Sequence, residues 1–336
     1  MKRYCPFLLM LFVVVACGAN AGLPDPRQAP GSAASVWEPP SGLQQIAIWP
    51  NAAPDRSKRP HMPETVQIKQ PPEVAPGREY TQILDVSTPT MTIFPPKGVN
   101  TGAAMVVFPG GGFRILAIDL EGTEICDWIT AKGVTCVLLK YRVPKGNHYW
   151  DKDCNCHITP KVPLALQDAQ RTIRLVRAKA KELEIEPHKI GVIGFSAGGY
   201  LVAQTSNIVK PSYTPVDAAD QLSSRPDYAI ALYPGHLCRA GATFDPSIKV
   251  TAQTPTTFLL QAWDDPVDKI CNSTLYAKAL NEAGVPTEVH LFAKGGHAFG
   301  LRRNPHPISS WPTLVEHWLR SIQILPPLAP DLNSEQ

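Results

Sequence analysis

The sequence predicts an α/β chain with a mostly parallel central sheet covered by helices on both faces. Three observations predict it. Short apolar runs of buried-strand type, such as Ile190–Phe195 and Thr256–Ala262, alternate with stretches of helical period. The strands read as continuous apolar runs rather than alternating ones, which is the pattern of strands buried on both faces. No internal repeat and no long linker divides the later half, and 336 residues at 44% apolar content suffice for one large core.

Taken in order, residues 1–21 read as a secretory signal peptide. Lys2 and Arg3 precede an apolar run over 7–16, and Ala19-Asn20-Ala21 forms a small-x-small cleavage site. The run is too short for a transmembrane helix. A second reading of the same residues makes Val14-Val15-Ala16-Cys17 a lipoprotein box with a lipid on Cys17. Either reading predicts export to a periplasmic or extracellular space, with no transmembrane segment.

Residues 22–75 are rich in Pro, Ala and Ser and then in Pro and charge, and are expected to form an extended arm. Its apolar touch is Ile46-Ala47-Ile48-Trp49-Pro50, read as a surface-hugging lead-in, with Trp49 at a site rim as the alternative. The folded domain is expected over 76–325, with a Pro-rich tail over 326–336. Residues 79–94 alternate as one or two edge strands, 103–108 is a clear strand, and 116–130 fits a helix. Residues 135–140 form a β-branched-rich strand. An irregular insertion over 144–163 carries Tyr149, Trp150, Cys154 and Cys156. Apolar positions recur at helical spacing over 164–183. After the strand Ile190–Phe195 and a helix behind it come strands over 228–233, 256–262 and 287–292. Helices are expected over 273–283 and 311–322, the first ended by Gly284 and Pro286.

The chemistry centres on Gly194-Phe195-Ser196-Ala197-Gly198, a G-x-S-x-G pattern between a strand and a helix. There the turn lifts a serine hydroxyl above the sheet edge, and small residues on either side let strand and helix pass closely. Serine needs an imidazole to take its proton, and the imidazole needs a carboxylate to fix its tautomer. Both follow in the order Ser, Asp, His. His297 lies on a glycine-rich loop just past the last strand. Asp264 and Asp265 follow the strand before it. Asp265, ahead of Pro266, is the preferred acid, and Asp264 is left to bond the loop backbone or cap. Asp268 reads as a surface residue. The Pro109-Gly110-Gly111-Gly112 loop follows an early strand and brings N–H groups to a developing oxyanion; Gly111, Gly112 and Ala197 are the expected donors. A nucleotide-binding loop is disfavoured, since neither Lys-Ser/Thr nor G-x-G-x-x-G spacing follows.

Formal charge is +3, falling to +1 without the leader, and no basic tract would attract nucleic acid. Six cysteines remain after Cys5 and Cys17: Cys126, Cys136, Cys154, Cys156, Cys238 and Cys271. An oxidising compartment permits disulfides, but spacing does not give the pairing. Cys154-Asn155-Cys156-His157 is half a metal site without a second ligand cluster, so no metal and no organic cofactor is expected.

These residues resemble the α/β-hydrolase superfamily, and most closely a carbohydrate-esterase-like branch similar to acetyl xylan esterases. The likeness runs over 43–325. It rests on Phe108-Pro109-Gly110-Gly111-Gly112-Phe113, Glu121-Gly122, Lys140-Tyr141-Arg142, the Ser196 elbow, Asp264-Asp265-Pro266-Val267 and Gly295-Gly296-His297-Ala298-Phe299-Gly300. The resemblance implies Ser196 as nucleophile, Asp265 as acid and His297 as base. Pro109 stands where histidine is common in lipase-like relatives. The resemblance also places Glu121 and Arg142 near the pocket; a structural ion pair between them beneath the glycine loop is the alternative. Tyr149 and Trp150 are candidates for a glycan-facing surface. The expected activity is removal of acetyl or other small acyl groups from acetylated oligo- or polysaccharide such as xylan. A prolyl-oligopeptidase-like peptidase, a general small-ester esterase and an inactive glycan-binding protein are the rival readings.

Overall fold

A computed structural model describes residues 36–55, 63–70, 77–143, 150–151, 156–157 and 164–328. The expected leader, Cys17, Tyr149, Cys154 and the last residues of the tail lie outside them.

The central sheet has eight strands: β1 (Ile46–Ala47), β2 (Thr90–Phe94), β3 (Ala104–Phe108), β4 (Thr135–Lys140), β5 (Ile190–Phe195), β6 (Tyr228–Leu232), β7 (Thr256–Ala262) and β8 (Thr287–Phe292). Their order across the sheet is β1-β2-β4-β3-β5-β6-β7-β8. β1 and β2 are antiparallel to their neighbours, and every pairing from β4 to β8 is parallel. The interior strands β3 to β6 are buried at every position, as strands covered on both faces must be. Among the described residues five α-helices accompany them: α1 (Glu124–Thr130), α2 (Leu164–Ala178), α3 (Ala197–Asn207), α4 (Cys271–Glu282) and α5 (Trp311–Ser321).

Three expectations are corrected. The arm over 22–75 is not merely extended, because β1 closes one edge of the sheet and Thr65–Lys69 pairs with Tyr80–Leu84. Residues 79–94 supply the two strands expected, but neither is an edge strand: Tyr80–Leu84 is the middle of that small sheet and β2 is flanked on both sides in the large one. The helix expected over 116–130 is three pieces: a strand Ile115–Ala117 against Tyr80–Leu84, a π-helical turn Asp119–Thr123, and α1. Short apolar runs fit either period, and the second edge of Tyr80–Leu84 decided in favour of pairing.

Trp49 is buried rather than on a site rim. Its indole N–H donates to Asp168 Oδ1 at 2.9 Å, and its ring meets Tyr213 edge-on at 4.7 Å. The polar residues of α2 face inward too: Asp168, Arg171 and Arg174 are buried among partners from the arm and the 212–222 loop. Within the insertion, Trp150–Asp151 pairs with Cys156–His157 as a short antiparallel ladder. Among the described residues, disulfides join Cys126 of α1 to Cys136 of β4, and Cys238 to Cys271 at the start of α4.

Candidate active site

Ser196 stands between β5 and α3 with φ +53° and ψ −116°. Its N–H donates to Leu232 O at 3.1 Å, and its carbonyl accepts from Tyr200 and Gly235 N–H, each at 3.1 Å. These bonds over-determine a backbone conformation that a side-chain-bearing residue adopts only at a cost. Both flanking glycines are forced by contact. A Cβ on Gly194 would lie 2.1 Å from Gly198 O, and one on Gly198 would lie 2.0 Å from Phe108 O. Strand, helix and glycine loop therefore converge on the serine more closely than any side chain allows.

His297 follows β8, and its Nδ1 lies 2.8 Å from Asp265 Oδ2. The Asp265 side chain is fully buried, and the residue follows β7. Its other oxygen accepts the N–H groups of Val267 and Asp268, each at 2.9 Å, which fixes the carboxylate plane. Asp264 faces elsewhere and accepts from Gly295 and Gly296 N–H at 2.9 and 2.8 Å, pinning the histidine loop. The Tyr233 ring packs edge-on against the imidazole at 4.8 Å.

The far side of the imidazole differs from expectation. Asp268 is not a surface residue; it is buried, and the Ser196 hydroxyl donates to its Oδ2 at 3.3 Å. The same oxygen lies 3.8 Å from His297 Nε2. The serine's bond thus goes to a second carboxylate that faces the base. Burial opposes protonation of His297, but the Asp265 bond and the charges of Asp268, Asp265 and Glu121 outweigh it, and its pKa is raised.

Gly111 and Gly112 line a cleft of about 400 Å³ with Ser196, His297, Arg114 and Val267. The glycine loop is held from below. Glu121 Oε2 accepts the Gly110 N–H at 2.8 Å, and Tyr141 OH donates to Pro109 O at 2.5 Å. Ala117 N–H donates to Gly110 O at 3.1 Å. Ala197 opens α3 immediately after the serine, so its N–H belongs to the helix N-terminus.

Glu121 does line the cleft, but it forms no ion pair with Arg142. Its Oε1 accepts from Tyr233 OH at 2.8 Å. Burial pushes its carboxyl up, while His297, Tyr233 and the Gly110 N–H pull it back. Arg142 lies outside the lining of this cleft. It donates to Asp168 through Nε at 2.9 and 3.1 Å, and to Pro54 O and Gln167 Oε1 at 2.5 and 3.0 Å. Arg142 is therefore a tether between the arm and α2. The side chains of Tyr149 and Trp150 lie outside the described residues.

Sequence reasoning missed Asp268, Tyr233 and Gln261. Gln261 Nε2 donates to Asp268 O at 2.6 Å, and Ser273 Oγ donates to Gln261 Oε1 at 2.7 Å, so a buried amide anchors the acid turn. The available signal was position: Tyr233 and Gln261 stand at the C-terminal ends of β6 and β7, where this class of sheet places its ligands. Among the described residues no group of His, Cys, Asp and Glu could hold a metal ion, and no helix is long and apolar enough to cross a membrane.

Residues 99–217 match the BD-FAE family model. The chain is 28% identical over 229 residues to an acetylxylan esterase of Xylanibacter ruminicola, covering 63% of this chain and 44% of that protein. It is 27% identical over 235 residues to endo-1,4-beta-xylanase B of Butyrivibrio fibrisolvens, covering 62% and 34%. The chain thus spans less than half the length of these curated relatives. The crystal structure of an acetyl ester-xyloside bifunctional hydrolase from Caldicellulosiruptor lactoaceticus superposes with a TM-score of 0.64 at 28% identity. That match covers 84% of this chain and 97% of the other. With the strand order above, these similarities make the fold that of the α/β hydrolases, among relatives that include an acetylxylan esterase.

Proposed function

We propose that this α/β hydrolase is an exported serine ester hydrolase that removes acetyl or similar small acyl groups from carbohydrate such as acetylated xylan. The observation that carries the reading is the Ser196 elbow sharing one cleft with the His297–Asp265 pair, bonded at 2.8 Å. The relatives' esterase activities and the Cys126–Cys136 and Cys238–Cys271 disulfides, which suit an oxidising compartment, support it.

In this reading the imidazole takes the Ser196 proton as Oγ attacks the ester carbonyl carbon. The carbonyl π pair moves to oxygen, and the N–H groups of Gly111, Gly112 and Ala197 stabilise the resulting oxyanion. Collapse breaks the bond to the sugar oxygen, and His297 delivers the proton to that leaving oxygen. Water then attacks the acyl-serine carbonyl and gives its proton to His297. A second collapse breaks the bond to Oγ, which recovers the proton, and releases the acid. Asp265 holds the ring with Nε2 toward the reaction and balances the imidazolium charge. Glu121 braces the glycine loop from beneath.

The test is acetate release from acetylated xylan and acetylated oligosaccharides, run beside a proline-containing peptide and an active-site fluorophosphonate. Acetate release and labelling that both vanish in Ser196→Ala are expected. Turnover of the peptide alone would replace this reading with a peptidase. Absence of labelling in folded wild-type protein would replace it with a binding protein.

A further inference from the structure

Asp268 is placed too deliberately to be an incidental neighbour. Its N–H donates to Asp265 Oδ1 at 2.9 Å and its carbonyl accepts from the buried Gln261 amide at 2.6 Å, so the backbone cannot drift. Its carboxylate packs over Gly235, where a Cβ would stand 2.7 Å from Oδ1 and 2.9 Å from Oδ2. Gly235 N–H in turn donates to Ser196 O at 3.1 Å. The missing side chain at Gly235 leaves the room that the carboxylate fills, at 3.3 Å from Ser196 Oγ and 3.8 Å from His297 Nε2.

We propose that Asp268 is a positioning residue that acts through His297: it holds the Ser196 hydroxyl in the resting enzyme and keeps a negative charge on the Nε2 side of the imidazole. The inference rests on the reading of His297 as the base. A carboxylate accepts the hydroxyl hydrogen bond but is too weak a base to ionise a serine, so attack begins only when the hydroxyl leaves Asp268 for a neutral ring. The groups facing that ring are Asp265 at Nδ1, Asp268 at Nε2, Glu121 from the π-helical turn and Tyr233 from the end of β6. Two aspartates on opposite sides favour the imidazolium, and the imidazolium cannot take a proton. Asp268 thereby sets the pH below which the site is idle.

The experiment follows the His297 ring proton by NMR titration of the free protein, and kcat/KM for p-nitrophenyl acetate against pH, in wild type, Asp268→Asn and Gly235→Ala. Asparagine keeps an acceptor for the hydroxyl and removes the charge; alanine at 235 pushes the carboxylate off its seat without altering Asp268 itself. Both substitutions are expected to move the ring titration and the acid limb together toward lower pH. One pH unit below the wild-type midpoint, kcat/KM relative to its plateau should rise about threefold or more. Asp268→Glu, which retains the charge, should move both back toward wild type. A folded Asp268→Asn protein that titrates where wild type does overturns the proposal. Where that variant does not fold, the same result in Gly235→Ala overturns it, as does a wild-type ring that titrates below the ordinary histidine range. If wild type turns over no ester, the esterase reading falls while the ring titration still decides the role of Asp268.

Discussion

Three aspartates lie within five residues of one turn, and each carries a different load. Asp264 holds the backbone of the histidine loop, Asp265 the Nδ1 side of the ring, and Asp268 the serine hydroxyl. Asp265→Asn should lower kcat by about 10⁴-fold, because an amide no longer fixes the reactive tautomer. Asp264→Asn keeps an acceptor oxygen for the two loop N–H groups and should cost less than about tenfold, in line with a modest net change in hydrogen bonding. Steady-state kinetics on one small ester separates the two, and similar losses would contradict the division of roles. The His297 pKa is raised in the fold, so the ring becomes neutral only at higher pH than a free histidine. Activity is therefore expected to be present above that raised value and to fall as pH drops through it. The ring's contribution to stability runs the opposite way: it is fully present below the unfolded pKa and is lost as pH rises through the folded one. Thermal melts and kcat/KM measured over the same pH series should show these opposed trends. The placement of Ser196, His297 and the Asp pair at strand ends was legible because the pattern is tied to residue type and chain order. Asp268 was not, since exposure of an acid near a helix start is the ordinary case and its burial depends on the shape of Gly235 and the elbow.

The elbow owes its geometry to contacts between elements. β5, α3 and the end of β3 meet where a Cβ on Gly198 would lie 2.0 Å from Phe108 O. The obstructing atom is backbone of the central sheet and cannot swing aside. Gly198→Ala should therefore destabilise by at least about 1–3 kcal/mol, the range for overpacking in a well-filled core, and denaturant unfolding measures it. Solubility and folding, not only activity, should suffer. The Cys238–Cys271 disulfide ties the loop after β6 to the first turn of α4, across a sequence separation of 33. Replacing both cysteines with serine should lower stability by about 2–4 kcal/mol, read as a drop in Tm measured without reductant. The strands from β3 to β8 were legible as short apolar runs bounded by turn residues. The strand Ile115–Ala117 and the π-helical turn behind it were not, because a window that short satisfies both periods until Tyr80–Leu84 offers it a partner.

Across the whole molecule, the N-terminal arm is fastened to α2 through buried charge. Asp168 receives the Arg142 backbone and guanidinium and the Trp49 indole, while Arg142 also reaches Pro54 O. Burial pushes the Asp168 carboxyl up, and Arg142 pulls it back. Arg142→Met would leave that carboxylate without its countercharge and should cost about 3–5 kcal/mol, as breaking one side of a buried pair does. Activity per folded molecule should survive, since Arg142 lies outside the cleft lining; its loss in a fully folded variant would return Arg142 to the site. From sequence alone this chain determined its class of sheet, the order of its reacting groups, and the narrowness of the turn that carries Ser196. These are written in local pattern and residue type, which act over a few neighbours. The tertiary structure alone decided which aspartate faces which side of the imidazole, that Glu121 braces the glycine loop while Arg142 serves the arm, and which cysteines pair. Each of those depends on burial and on the distance between atoms far apart in the chain, and neither is a property of any segment by itself.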